Sequence, residues 1–169
     1  PRAQQRDDVL VVSTTSCVPT PWFTAYGKMG AAQLARLREL LTRDAAFKVV
    51  LVHHPPLLGN GQPDRIWRNN HDGAALVEIC RDAGVGLLLC GHTHHAFDHT
   101  VEGTGGTPLR IYCAGSTTKP PKVLGDAATY NRYRIEDGAL RSVEVRGFDP
   151  KTQAFAVIET RELGTSTHG

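Results

Sequence analysis

The chain has no histidine before residue 53, no Cys-x-x-Cys pair and no apolar run long enough to span a membrane. The apolar runs that do occur are strand-length, Val49 to Val52 among them, which excludes the membrane class. Charge of one sign is also missing: 19 Lys and Arg face 17 Asp and Glu, and the basic residues are scattered. That excludes the clustered basic stripe of a nucleic-acid interface. Three of the four cysteines (Cys80, Cys90 and Cys113) lie inside apolar runs, where a reduced thiol behaves as a small hydrophobe, while Cys17 does not. Reduced thiols fit a reducing, cytoplasmic setting. There is no internal repeat, and the one low-complexity stretch is a tail from Gly164 to Gly169.

What is present is enough apolar sequence for one domain with a core: 169 residues, 40% hydrophobic. Asp7 to Ser16 reads as a buried strand running into a polar loop. The Pro- and aromatic-rich stretch after it, from Cys17 to Gly30, reads as an ordered surface loop. Leu34, Leu37, Leu40 and Leu41 then draw one apolar stripe, with Gln33, Arg36, Arg38 and Glu39 outside it, so the segment is an amphipathic helix. Phe47 to Val52 is a second buried strand, stopped by His53-His54-Pro55-Pro56 because proline cannot continue a ladder. A polar loop follows, and then a helix with Asp72 at its N-cap and Gly84 just past its end. Val85 to Cys90 is a third buried strand. Strand and helix alternating in this way predict right-handed crossovers and a mainly parallel sheet. Beyond Ala96, segments such as "LRIYCA", "TYNRYRIED", "LRSVEVRGF" and "AFAVIE" predict antiparallel strands.

The histidines gather where such a sheet forms its sites. Strand C-termini open on one edge, and His53-His54 ends one strand while His92-Thr93-His94 ends the next. If those strands are neighbours, His53, His92 and His94 converge. In an extended segment His92 and His94 share a face, and Gly91 permits the sharp exit that aims them. Neutral imidazole suits zinc, iron and nickel.

"VVLVHHPP" followed by "LLLCGHTHH" resembles the last two metal-binding motifs of the calcineurin-like metallophosphoesterases. The helix, loop and strand between them are similar in layout, and "IYCAGST" and "YGKMGAAQLARL" are similar to bacterial members. The resemblance implies an α/β fold: a two-sheet αββα sandwich of which this chain supplies the C-terminal portion, parallel strands with helices and then antiparallel strands. It implies that His53 and His92 bind one metal of a dinuclear pair (manganese, iron or zinc) and His94 the other. His54 would orient a ligand or line the substrate side, and His95 and His99 would be surface residues. The implied reaction is phosphoester hydrolysis, by a phosphodiesterase or phosphatase, with a cyclic nucleotide among the candidate substrates.

The family's Asp-x-His, Gly-Asp-x-x-Asp and Gly-Asn-His-Asp/Glu motifs are missing from residues 1–52. "NNHD" at Asn69 to Asp72 falls between the histidine clusters, in the wrong order, and reads as a helix cap; Gly125-Asp126 lacks the second aspartate, Thr129 standing in its place. No catalytic residue can therefore be named. A bridging carboxylate normally holds two cations about 3.5–4 Å apart. Without one, the three histidines suit a single ion, zinc the best match. The expectation is a fragment with little or no hydrolysis of its own. The alternatives are a non-catalytic metal-binding module or a subunit completed by another polypeptide, with self-association through exposed sheet surface.

Overall fold

The computed structural model describes residues 1–116 and 128–163, so the Gly125-Asp126 pair and the tail from Gly164 lie outside the described residues. The chain forms a two-sheet α/β sandwich. Its elements in order are β1 (Arg2–Arg6), β2 (Val9–Ser13), α1 (Ala31–Leu41), β3 (Phe47–Leu51), α2 (Gly73–Asp82), β4 (Leu87–Cys90), β5 (Phe97–Val101), β6 (Leu109–Cys113), β7 (Thr129–Glu136), β8 (Ala139–Asp149) and β9 (Ala154–Glu162). The larger sheet runs β1-β2-β3-β4-β6-β5 and the smaller β7-β8-β9.

Period-two alternation sorts the strands' side chains between two cores. Leu10, Val12, Val50, Leu88 and Ile111 point to one face, where Leu37, Leu40 and Leu41 of α1 and Leu76, Ile79 and Cys80 of α2 cover them. Phe47, Val49, Leu87 and Tyr112 point to the other and meet Leu140 and Val143 of β8. Covered on both sides, β3 and β4 need apolar residues at every position, which is why they read as unbroken hydrophobic runs. Among the described residues both helices lie on one face of the larger sheet.

Strands β2, β3, β4 and β6 are parallel, with Val49 opposite Leu87 and Leu87 opposite Arg110. The neighbour relation on which histidine convergence depends is therefore met. Two expectations are corrected. "LRIYCA" is not simply antiparallel: after β4 the chain runs out along the edge as β5 and returns as β6, which pairs parallel with β4 and antiparallel with β5. Burial on both faces (Leu109, Ile111 and Cys113 on one side, Tyr112 on the other) marks β6 as an interior strand, but a five-residue run carries no sign of its direction. The second correction concerns Asp72. It occupies the N-cap position of α2 without bonding that helix through its side chain. Its carboxylate instead accepts the N–H groups of Met29 (2.7 Å) and Gly30 (2.9 Å), at the head of α1. Gly84 does follow α2 in the left-handed region, at φ 66°.

Candidate metal centre

Three loops leave the C-terminal edge of the parallel strands and lock together around one imidazole. His54, 5% exposed, is bound at both ring nitrogens: Nδ1 lies 2.8 Å from Ser16 Oγ and Nε2 3.1 Å from the Ala25 carbonyl. Of the two neutral tautomers only the one protonated at Nε2 satisfies both, donating to Ala25 and accepting from the Ser16 hydroxyl. Ser16 Oγ also accepts the His54 backbone N–H at 3.1 Å. Buried Asn70 donates to the His54 carbonyl at 3.3 Å. Gly27 packs so tightly that a Cβ there would sit 2.5 Å from His54 Nδ1. Its own backbone bonds Asn69 and His71, tying the loop after β2 to the loop after β3. Burial, then the neighbouring His92 and His53, push the His54 pKa down to about 4, so the ring stays neutral at ordinary pH.

Cys17, His53 and His54 each offer a ligand atom within 4.8 Å of the others. Proximity alone would make His54 the third donor, but both its nitrogens already hold hydrogen bonds. Its chemistry is that of a buttress, consistent with a residue that orients a ligand. The unspent donor is His92. Its Nε2 is buried and has no hydrogen-bond partner among the described residues, and its ring centroid lies 5.3 Å from that of His53 and 4.1 Å from that of His54. Burial lowers its pKa, helped by the charges of His53 and Arg68 and opposed by Asp64. Exposed Cys17 and exposed His53 offer one sulfur and one nitrogen within 4.8 Å of each other, and the ring of His92 stands beside His53 without joining that group; sulfur and imidazole nitrogen are donors matched to zinc. No side chain had marked Cys17 in the sequence; the signal available was that it alone among the cysteines stands outside an apolar run.

The backbone at the second cluster is not extended. His92 and His94 both take left-handed φ, 69° and 59°, and Thr93 N–H bonds back to the Gly91 carbonyl at 2.8 Å. The shared-face argument for these two histidines therefore does not hold. Gly91 is not the residue that makes the turn either: its φ is not positive, and a Cβ on it would meet only His53 Nδ1, at 3.9 Å. Its role is to bond the His53 carbonyl through its N–H at 3.0 Å, fastening the two mouths. Thr93 turns down to Cys113 Sγ, 3.3 Å away. His94 and His95 are exposed, and His99 is half-buried on β5, where Gly61 packs against its ring. His71, inside the "NNHD" stretch, stacks on Tyr26 at 4.3 Å with 8° between the rings.

No protein-family model matches the chain, and no curated protein sequence does. Among solved structures, GAP50, the anchor in the inner membrane complex of Plasmodium, matches over 92% of this chain and 49% of its own, with 15% identity and a TM-score of 0.52. Wild-type Vps29 of Entamoeba histolytica complexed with Zn2+ covers 90% of this chain and 98% of its own at 17% identity, with a TM-score of 0.32. The chain therefore spans about half the length of GAP50. The likeness to GAP50 bears on the fold alone, the two-sheet α/β sandwich described above. Among the described residues no helix is long and apolar enough to cross a membrane.

Proposed function

We propose that the chain is a metal-binding module of the metallophosphoesterase fold that holds one divalent ion, zinc by preference, through Cys17, His53 and His92. It does not hydrolyse phosphoesters unaided, and another polypeptide completes it. The observation that carries this reading is the buried Nε2 of His92 beside His53, unpartnered among the described residues. A polar atom left without a partner in a folded interior costs about 1–3 kcal/mol, and a cation is the partner its lone pair suits. A bound zinc ion would supply Lewis acidity toward an oxygen ligand. The chain's own residues do the rest: Ser16, Gly27 and Ala25 hold His54 in place, and His54 backs the ring of His92.

The finer reading, a dinuclear phosphodiesterase or phosphatase with His94 on the second ion and manganese, iron or zinc as its metals, requires negative donors. Among the described residues no Asp or Glu joins the Cys17, His53 and His54 group. Equilibrium dialysis against zinc, followed by metal analysis, tests the single-ion reading on the full chain. One ion per chain is expected, with affinity falling at least about tenfold in both His92→Ala and Cys17→Ser. Cobalt substitution adds a sulfur-to-metal charge-transfer band that Cys17→Ser abolishes. Sub-stoichiometric zinc, or affinity indifferent to His92→Ala, overturns it. Turnover of a p-nitrophenyl phosphodiester with manganese, abolished by His92→Ala, would overturn the non-catalytic half of the proposal.

A further inference from the structure

The two sheets differ in width, and the difference is open at one place. Six strands face three, and β7 pairs with β8 alone among the described strands. Beside the end of β7 lies a cleft of about 480 Å³ floored by Val9, Val11, Phe47 and Ile135. Val9 and Val11 are half-buried where Leu10 and Val12, on the opposite face of the same strand, are 0% exposed. The apolar floor continues along the inner face through Leu51 and Leu89, both only partly buried. On the far side it stops at β1, whose Gln4 and Arg6 lie opposite Val11 and Val9. The strip left uncovered by the described residues is therefore one strand wide, and it runs beside a sheet edge whose backbone can form another ladder.

We infer that β7 and the exposed face of β2 form a groove that takes one β-strand of a different polypeptide, with apolar side chains at alternate positions and a basic residue at one end. This rests on the reading of the chain as a module completed by another polypeptide, and it identifies where. The basic residue follows from the rim: Asp7 and Asp8 stand at one end of the cleft against Arg6, while Glu136 and Asp137 beside them are met by Arg134 and Arg141, which leaves the end one negative charge in excess. A second copy of this chain is disfavoured by charge. The longest antiparallel self-pairings of β7 that keep each side chain on its own face set Arg132 against Arg132 or against Arg134, exposed arginines whose charges Glu144, Glu136 and Glu162 meet only at 3.6–3.7 Å. Strand addition of this kind takes its affinity from main-chain hydrogen bonds and its specificity from alternate side chains.

The test uses two synthetic nine-residue peptides of identical composition, four valines alternating with four threonines and a terminal lysine, with the valines displaced by one position in the second. Displacement turns every valine to solvent, so only one pattern can fill the floor. With the matching peptide at saturation, amide exchange between Asn131 and Ile135 is expected to slow about tenfold. The displaced peptide, and the matching peptide on Val11→Glu, should leave it unchanged. Equal protection by both peptides, or none by either, overturns the inference. Protection that grows with protein concentration and no peptide assigns the edge to a second copy and overturns it too. Zinc affinity is measured on the same samples: zinc lost with peptide protection intact defeats the metal reading alone, and the reverse defeats the groove alone.

Discussion

Gly27→Ala should be among the most damaging single-methyl additions in this chain. An alanine Cβ at 27 would sit 2.5 Å from His54 Nδ1, 2.6 Å from Cγ and 2.9 Å from Cβ, all closer than carbon atoms approach in real structures. The ring cannot swing aside freely, because Ser16 and Ala25 hold it from two directions. Overpacking of this sort costs about 1–3 kcal/mol. If the ring yields, up to two hydrogen bonds of about 0.5–1.5 kcal/mol each go with it. The expected loss is therefore about 2–5 kcal/mol, which for a chain of this size lowers Tm by roughly 5–15 °C. Calorimetry or circular dichroism measures it, and a double-mutant cycle with His54→Ala locates it. In the His54→Ala background the two closest contacts, to the ring, are gone and only the 2.9 Å approach to the retained Cβ is left, so most of the cost should disappear. A Gly27→Ala cost below about 0.5 kcal/mol, or one undiminished without the imidazole, refutes the wedge between Gly27 and the ring.

Asp72→Ala should cost about 2–3 kcal/mol, because two backbone N–H groups at the head of α1 lose a charged acceptor, and Asp72→Asn should recover part of it; urea unfolding measures both. The pH dependence follows from His54. Its folded-state pKa of about 4 lies below the ordinary value of 6.5, so the unfolded chain binds the proton first as pH falls. Stability is fully present above pH 6.5 and drops by about 1–3 kcal/mol between there and pH 4. Denaturation series across that window should show the slope in the wild type and lose most of it in His54→Gln; a flat wild-type profile contradicts the buried neutral ring.

The sequence showed most clearly what repeats or stops. Leucine spacing drew α1, and unbroken apolar runs drew β3 and β4, since a strand covered on both faces has no polar position to spare. The His-His-Pro-Pro stop placed His53 and His54 at a strand mouth. What it could not show depended on contacts between distant segments. Asp72 carries the signature of an N-cap, yet its carboxylate bonds residues more than forty positions away, and local pattern holds no record of that. The same holds for Cys17, brought to His53 by the loop that Gly27 ties to Asn69. His92 and His94 misled for a different reason. Their i, i+2 spacing suggests a common face only in extended backbone, and nothing in Gly-His-Thr-His announces that two histidines, not the glycine, take the left-handed φ.

That backbone leads to the sharpest consequence of the metal reading. A non-glycine residue in the left-handed region costs about 1–2 kcal/mol, and the unpartnered Nε2 of His92 adds about 1–3 kcal/mol. For a protein stable by about 5–15 kcal/mol these are large sums to carry at one residue, unless something bound there offsets them. His92→Gly removes both costs, since glycine takes φ 69° freely and has no ring nitrogen to satisfy. Without metal, then, the variant should be at least as stable as the wild type, although it loses the ring's contacts with His53 and His54. Zinc should reverse the order: at a thousandfold excess over Kd it adds about 4 kcal/mol to the wild type and much less to the variant. Thermal unfolding with chelator and with zinc measures both halves. A His92→Gly chain less stable than wild type by the same margin in both conditions would mean that the strained histidine is held by its packing alone, and that no cation is needed to explain it.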